Sequence, residues 1–575
     1  MSLRSRPITD RQKLLSLGPL ESLKDMLTRA NNAYGDSPAI VDKIGNTVVT
    51  HSMRELKEKV DALGTSLMSM GLQGERIAII GENSFNWALS FLAITCGVGV
   101  AVPLDKELTD EGLCELMHKA DVKAVFCSRT YCRAAELYMQ SNSNVISITL
   151  DKPNMEKGFV HIDELLCIGA QLLQDGDDSF LLSEPHADML CAILFTSGTT
   201  GANKGVMLTH GNFTANIDAV AREVPLEDSV LSVLPMNHIY ELNCTFLSCI
   251  YLNVCIYIND SLRKISENFN RFSPKMAIVV PLFLEMFYKN IWQTAQKNNK
   301  AAKLKFAIRL SNFLMSFGID LRHRLFAEVR EAFGGELSLM IVGGAPVDAK
   351  YVKGLSDLGF DIYIGYGLTE ASPIAALNQN GRKYPKSSGF PFEGNEYRIF
   401  NPDESGVGEI HLRGKNIFNG YYNDSEATAA SFDGEWFKTG DYGKISKKSG
   451  LQIVGRKKNL IVLSNGKNVH PEEIEAVIKD ELPYVAEAVV IEGRQTIRGE
   501  CLSIIKALVN VEQDSHPELR VKEFEARLTE DIKKVNARLP GYKAVSKVQL
   551  ILTPFETTST KKVIRAKLVK LYSSE

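Results

Sequence analysis

The sequence predicts an α/β protein: a large N-terminal domain of helix-covered, mostly parallel sheets, followed by a smaller α+β domain. Three observations carry this. Helical and strand patterns alternate through the first part, two apolar strands run straight into glycine-rich turns, and the pattern changes after Gly455. In the first part, Leu56, Val60, Leu63, Leu67 and Met70 recur at helical spacing, and the apolar run IAII after Arg76 then reads as a buried strand. A helix around Trp87 to Thr95, a strand ending at Pro103, a helix around Leu113 to Met117 and the strand VKAVFC repeat the alternation. Such a series buries a parallel sheet under helices on both faces. LMIVGGAP and FDIYIGYG each end a strand at a glycine-rich turn, the position where ligands bind in open α/β sheets.

After Gly455 come the basic cluster Arg456, Lys457 and Lys458, then a helix opening at Pro471 with Glu472 and Glu473 in its first turn. Strands are expected around Val489 and Ile504. An amphipathic helix with the stripe Phe524, Leu528, Ile532, Val535 and Leu539 stops at Pro540 and Gly541, before the strand VQLIL and a lysine-rich end. The expected division is 1–455 and 456–575.

Composition narrows the function. A chain of 575 residues that is 45% hydrophobic and 8% aromatic exceeds one core. A net charge of −3, with Lys and Arg spread throughout, argues against a dedicated nucleic-acid binder. The ten cysteines form no CxxC pair, and Met1 to Leu20 lacks the apolar core of a signal peptide, so a reducing, cytoplasmic setting is expected. Ser84 to Leu104 carries no charge and is nearly long enough to cross a bilayer, but Gly97, Gly99 and Pro103 suit a helix end and a short buried strand. Asn243 to Asn259 reads the same way. No transmembrane segment is expected, and peripheral contact with membrane lipid is left open.

The strongest local signal is FTSGTTGANKGVMLTHGN, Phe195 to Asn212: a strand, a run of hydroxyls and glycines, Lys204, then a helix. Gly198 and Gly201 let backbone N–H groups approach an anion, Thr196, Ser197, Thr199 and Thr200 add donors, and Lys204 adds charge. An ordinary polar turn uses the same residue types, but rarely with so many donors beside a lysine. The P-loop pattern G-x-x-x-x-G-K-[ST] fails, because Asn203 precedes Lys204 and Gly205 follows it.

This loop is similar to the signature loop of the adenylate-forming (ANL) enzymes, the superfamily of acyl-CoA synthetases, firefly luciferase and peptide-synthetase adenylation domains. Further matches follow in the family's order: PMNHIYE (Pro235 to Glu241), GGAP (Gly343 to Pro346), YGLTE (Tyr366 to Glu370), WFKTGD (Trp436 to Asp441) and GRKKNLIVLSNGKNVHPEEIE (Gly455 to Glu475). TTSTKKVIRAKL resembles the segment bearing the family's catalytic lysine, which aligns with Lys562, Arg565 following at the usual spacing. The resemblance spans nearly the whole chain and looks most like AMP-forming long-chain fatty acyl-CoA synthetases.

The resemblance implies an acid–thiol ligase. A carboxylate attacks the α-phosphate of ATP to give acyl-adenylate and pyrophosphate, and the acyl group then passes to a thiol, that of CoA in the leading reading. Two like charges at ~4 Å repel by roughly 4 kcal/mol at an effective dielectric of ~20, so cations must offset them. The implied roles are Lys562 bridging carboxylate and phosphate, with Glu370 and the Thr196 hydroxyl on Mg²⁺. Tyr366, between Gly365 and Gly367, would stack on adenine against Gly344, Ala345 and Pro346, with Thr369 beside it. Asp441 would accept from the ribose hydroxyls, Arg456 would reach ribose or phosphate, and Lys458 matches the hinge about which a mobile C-terminal domain turns. His238, Gly343 and Gly367 would line the acyl side. Taken singly, GGAP is a tight strand-end turn, TGD a turn aspartate and the basic run a solvated face; their order gives them weight.

Two departures stand out. Asn203 replaces a usual proline, and Lys561 stands where glycine is common, putting two lysines in competition for one role; the spacing to Arg565 favours Lys562. The absence of the aspartate-bearing motif usual in peptide-synthetase domains turns the reading away from amino acids. The alternatives are loading of the phosphopantetheine thiol of an acyl carrier protein, a catalytically silent acyl- or nucleotide-binding homologue, and a luciferase-like oxygenase, for which the sequence offers no positive sign.

Overall fold

The structure, a computed structural model, describes residues 8–45, 47–151, 158–197, 203–463, 467–497, 500–511, 521–557 and 563–573. The chain divides into two compact units, Met1–Tyr397 with Leu412–Phe437, and Arg398–His411 with Lys438–Glu575. The division expected at Arg456 falls inside the second of these, because residues 441–446 pair antiparallel with 450–456 in one ladder.

The first unit holds two eight-stranded sheets. In one, Pro38–Ile44, Cys255–Ile258, Ser229–Ser232, Met276–Val279, Leu339–Val342 and Asp361–Gly367 lie side by side and parallel. Antiparallel Thr47–Ser52 and Ile374–Asn378 close its edges. In the other, Phe159–His161, Ile146–Thr149, Ala124–Cys127, Arg76–Ile80, Val100–Pro103 and Leu190–Ser197 are parallel, followed by antiparallel Asn203–Thr209 and Gly420–Tyr421. The central strands are short and apolar on both faces, as helices covering both sides of a parallel sheet require.

One core joins the two sheets: Ile40 and Ile256 of the first share it with Ile77, Ile79 and Phe126 of the second, through helices Met53–Ser69, Phe85–Ala93 and His210–Glu223. At its centre Trp87 stacks on Phe91 at 5.9 Å and Phe91 meets Phe213 edge-on at 6.4 Å, each ring contributing roughly 2–3 kcal/mol by burial. Helix Met53–Ser69 meets Ile162–Gln174 so closely that a Cβ on Gly169 would lie 1.7 Å from the Ala62 carbonyl oxygen. The uncharged stretch from Ser84 is helix Phe85–Ala93, a π turn Ile94–Val98 and strand Val100–Pro103. Asn243 to Asn259 likewise ends the π-helical turn Tyr240–Leu247 and continues as helix Ser248–Tyr251 and strand Cys255–Ile258. Among the described residues no helix is long and apolar enough to cross a membrane.

In the second unit, Val485–Ile497 pairs antiparallel with Glu500–Val511, which runs parallel to Lys547–Ile551. Period-two alternation gives the sheet two buried faces. Val490, Ala507 and Val509 pack with helices Pro471–Glu481 and Val521–Ala537, while Val489, Ile491 and Leu508 pack with Leu568 of helix Arg565–Tyr572. The expected stripe is buried at Phe524, Leu528, Ile532 and Val535 and partly buried at Leu539.

Candidate active site

Four adjacent parallel strands in the first sheet deliver their C-terminal ends to one edge. Ser229–Ser232 leads into PMNHIYE, Met276–Val279 into Pro281, Leu339–Val342 into GGAP, and Asp361–Gly367 into the YGLTE turn. Segments more than a hundred residues apart therefore meet because the sheet is parallel and in register, with Val342 opposite Ile364. A cavity of about 500 Å³ opens elsewhere, among Pro38, Asp228, Cys255, Tyr257 and Phe272, and none of the candidate site residues lines it.

Backbone conformation shapes this edge. Gly344 has φ +81°, in the left-handed region, and turns the chain out so that Gly344 and Pro346 are exposed while Gly343 stays buried. A Cβ on Gly343 would sit 3.2 Å from the Tyr240 ring, and Tyr240 Oη donates to the Ile341 carbonyl oxygen at 3.1 Å. Tyr240 thus ties PMNHIYE to GGAP. Gly365 and Tyr366 pair with Leu377 and Ala376 of the edge strand, and a Cβ on Gly367 would fall 2.0 Å from the Pro373 carbonyl oxygen. Thr369 and Glu370 form the single turn that follows.

That turn is held from several sides. Asn216 Nδ2 and Asn416 Nδ2 donate to the Ala371 carbonyl at 2.9 and 3.0 Å, and Asn243 Nδ2 donates to that of Ser372 at 2.5 Å. All three asparagines are buried. Asn83, past the end of Arg76–Ile80 in the other sheet, donates to the Leu234 carbonyl at 2.7 Å and accepts from the Met236 N–H at 2.9 Å, fixing the start of PMNHIYE. Within that segment His238 is half-buried, and Glu241 is fully buried. Ser232 Oγ and Thr245 Oγ1 donate to the Glu241 carboxyl at 2.5 and 2.8 Å, and burial pushes its pKa up to about 8.

The hydroxyl- and glycine-rich loop is a hairpin. Leu190–Ser197 pairs with Asn203–Thr209, and Thr196 lies opposite Lys204. The helix expected after Lys204 begins at His210, once a seven-residue strand has intervened, and Thr209 caps it in a capping box with Asn212. Gly198, Thr199, Thr200 and Gly201 lie outside the described residues, and Ser197 ends the first strand. Lys204 Nζ stands 4.6 Å from the Tyr421 ring centroid, and Tyr421 Oη donates to Glu370 Oε1 at 2.9 Å. Burial and the adjacent carboxylate push the Tyr421 pKa well up, so the phenol remains a donor. Thr196, Lys204, Tyr421 and Glu370 form one chain of neighbours. No sequence pattern marked Tyr421; its place comes from the two-residue strand Gly420–Tyr421 pairing with residues 206–207.

A single carboxylate and a hydroxyl suit Mg²⁺, which keeps several waters and is completed by substrate phosphates. No group of three His, Cys, Asp or Glu side chains able to cage a metal occurs among the described residues.

In the second unit Asp441 is buried and faces Arg456 across the ladder, Oδ1 to Nε 3.1 Å, while the Asp441 N–H donates to Thr439 Oγ1 at 3.0 Å. Lys457 is paired with Glu409 at 2.7 Å. The Lys458 side chain is exposed, and partial desolvation followed by the Arg456 charge lowers its pKa. Lys561 and Lys562 lie outside the described residues, but both ends of their segment are fixed. Thr557 bridges to Val563, and the Arg565 guanidinium pairs with Glu475 at 2.7 Å and donates to the Val490 carbonyl oxygen.

The chain is 27% identical over 487 residues to long-chain-fatty-acid–CoA ligase FadD15 of Mycobacterium bovis, covering 80% of this chain and 77% of that one. It is 26% identical over 580 residues to long-chain-fatty-acid–CoA ligase 5 of Rattus norvegicus, covering 91% and 83%. Against long-chain-fatty-acid–CoA ligase 1 of Cavia porcellus it is 27% identical over 74% of its own length, and spans 65% of the relative. Among solved structures, the fold matches the anthranilate CoA ligase AuaEII in complex with anthranoyl-AMP (TM-score 0.76, 19% identity, 97% and 99% of the chains). It also matches ATP-bound MatB from Rhodopseudomonas palustris (TM-score 0.75, 23% identity, 96% and 99%). The model of the AMP-binding enzyme family matches residues 27–422 and that of the AMP-binding enzyme C-terminal domain residues 458–575, so this chain belongs to the AMP-binding enzyme family.

Proposed function

We propose that the chain activates a medium- or long-chain fatty acid as its acyl-adenylate and transfers the acyl group to CoA. AMP-forming acid–CoA ligation with ATP, Mg²⁺ and CoA follows from the family; the fatty acid is the proposed part. The observation that carries the reading is the meeting of PMNHIYE, GGAP and the YGLTE turn at one strand edge in a unit that also links Glu370, Tyr421 and Lys204. The long-chain ligases among its relatives support the substrate class.

In this reading Lys204 and the donors of its hairpin take the triphosphate, and Tyr366 stacks on adenine against the Gly344 to Pro346 turn, whose small residues admit a flat ring. Thr369 stands beside them. Thr196 and Glu370 hold Mg²⁺, which when bound neutralises phosphate charge. Asp441, paired with Arg456, accepts from ribose hydroxyls. Lys562 draws the carboxylate onto the α-phosphate. His238, Gly343 and Gly367 border the acyl chain, Arg456 reaches ribose or phosphate, and Lys458 is the hinge.

Purified protein with Mg²⁺-ATP, CoA and carboxylic acids of graded chain length tests this by AMP and pyrophosphate release and mass spectrometry of products. Acyl-CoA with a preference at medium or long chains is expected. A preference for short or aromatic acids would overturn the substrate class. Adenylate that reaches a carrier-protein thiol but not CoA would replace the acceptor.

A further inference from the structure

Helix Ala301–Met315 is apolar on two opposite faces, and only one of them has a protein partner. Leu304, Ala307 and Ile308 pack on the core beside buried Ser311. At 100° per residue, Phe306, Leu310, Phe313 and Phe317 line up on the far side, within about 60° of one another. They are 67%, 40%, 61% and 68% exposed, and Ile319 just beyond is 48% exposed. The Phe313 and Phe317 rings meet edge to face at 5.1 Å, so the stripe is continuous over the turn that ends the helix. Three exposed phenylalanines in one row are far from the scattered single apolar residues that any surface carries.

The charges on the helix itself are of one sign. From residue 286 to 319 the chain has Lys289, Lys297, Lys300, Lys303, Lys305 and Arg309 and no acidic residue. Lys303 and Arg309 fall about 60° to either side of Phe306 on the helix, with Lys305 next to Arg309, and all three are exposed. Lys300 is paired with Glu328 at 2.5 Å, whereas no ion pair among the described residues involves Lys303, Lys305 or Arg309. On the side away from the stripe, Asn312 Oδ1 accepts from Arg382 at 3.0 Å, and Arg382 pairs with Asp357 at 3.2 Å, fixing the rotation of the helix about its axis. The helix is therefore held with its aromatic row outward.

We propose that Ala301–Met315 docks the protein on an anionic phospholipid surface, Phe306, Leu310, Phe313 and Phe317 entering the headgroup and acyl boundary while Lys303, Lys305 and Arg309 meet lipid phosphates. A helix lying in the interface needs an apolar face rimmed by cations, and this one presents both to solvent on a fixed axis. A second copy of the chain fits less well, because self-docking through this face would bring two clusters of unpaired cations together.

The test uses the full-length protein and sedimentation with vesicles of phosphatidylcholine alone or with roughly a third phosphatidylglycerol. No ATP or acid is present, so the result is independent of the substrate assigned above. Binding to the anionic vesicles is expected, weakened by salt and at least about tenfold stronger than to the neutral ones. The variant Phe306→Ser/Phe313→Ser/Phe317→Ser is expected to lose at least about tenfold in binding, and Lys303→Glu/Lys305→Glu/Arg309→Glu to lose the preference for anionic lipid. Both variants should keep wild-type circular dichroism and the wild-type rate with a water-soluble short-chain acid. No wild-type binding to anionic vesicles, or equal binding by the serine variant, overturns the proposal. So does a concentration-dependent dimer that the serine variant abolishes without any lipid binding by the wild type.

Discussion

The Tyr421 hydroxyl donates a 2.9 Å hydrogen bond to Glu370 Oε1 beneath the ammonium of Lys204, joining an edge strand, the turn after YGL and the hydroxyl-rich hairpin. A hydrogen bond to a charged acceptor contributes about 1.5–3 kcal/mol. Tyr421→Phe keeps the ring under Lys204 and removes only that bond, so acid-dependent pyrophosphate exchange should fall by about tenfold or more, with a raised Mg²⁺ half-saturation. Tyr421→Phe with a wild-type rate and Mg²⁺ dependence would show that the hydroxyl does not position the carboxylate.

Glu241 and His210 give opposite slopes of stability against pH. Burial raises Glu241 from its ordinary 4.5 to about 8, so between these values the folded protein keeps a proton that the unfolded chain releases, and stability falls as pH rises. Burial lowers His210 from 6.5 to about 4, so between those values the unfolded chain binds the extra proton, and stability falls as pH drops. The windows overlap up to 6.5, which leaves Glu241 to act alone from there to about 8. Urea midpoints of the wild type should therefore decline over pH 6.5–8, and Glu241→Gln should flatten that limb. An equal decline in the variant would assign the slope to other groups.

The sequence made the strand-end turns legible because a short apolar run followed by glycine has few other physical explanations in an alternating chain. The strands that end at Gly343 and Gly365 are read on that basis, whereas the roles of Gly344 to Pro346 and of Tyr366 to Glu370 rest on the order of the motifs. Tyr421 was invisible: two residues form its strand, and its partners lie more than 200 positions earlier. The asparagines 216, 243 and 416 were equally silent, since a buried amide that holds a distant carbonyl has no periodicity or spacing to betray it. The strand that carries Lys204 was silent too, because glycine and threonine density conceals a second strand that shows itself only through pairing. The division at Arg456 followed a change of pattern, whereas contacts follow the ladder that joins Arg456 to Asp441.

Two glycines at the same edge should respond differently to alanine. Gly344 has φ +81° and meets only Val280 at 3.6 Å, so Gly344→Ala carries the left-handed penalty of about 1–2 kcal/mol and a modest rise in the ATP KM. Gly367→Ala drives a methyl to within 2.0 Å of the Pro373 backbone oxygen, which no rotamer relieves. Adenylation by Gly367→Ala should fall well below that of Gly344→Ala, with a lower Tm. Equal effects would mean that the Pro373 segment moves freely, against its anchoring by Asn243 and Asn416.

Lys561 and Lys562 compete for one role, and what surrounds them gives a way to separate them. Thr557 bridging to Val563 closes the segment, and Arg565, held on Glu475 and the Val490 carbonyl, fixes its outgoing end. A lysine that offsets charge between carboxylate and phosphate acts in adenylate formation, and its loss should cost roughly a hundredfold or more there. Transfer from a supplied acyl-adenylate to CoA should be largely spared. Lys562→Ala is expected to show that split and Lys561→Ala a change within about threefold. Arg565→Ala should instead lower thermal stability, by leaving the largely buried Glu475 carboxylate without its cation, and should weaken both half-reactions together. If Lys561→Ala gives the selective loss and Lys562→Ala does not, the assignment passes to Lys561, and the spacing to Arg565 has misled.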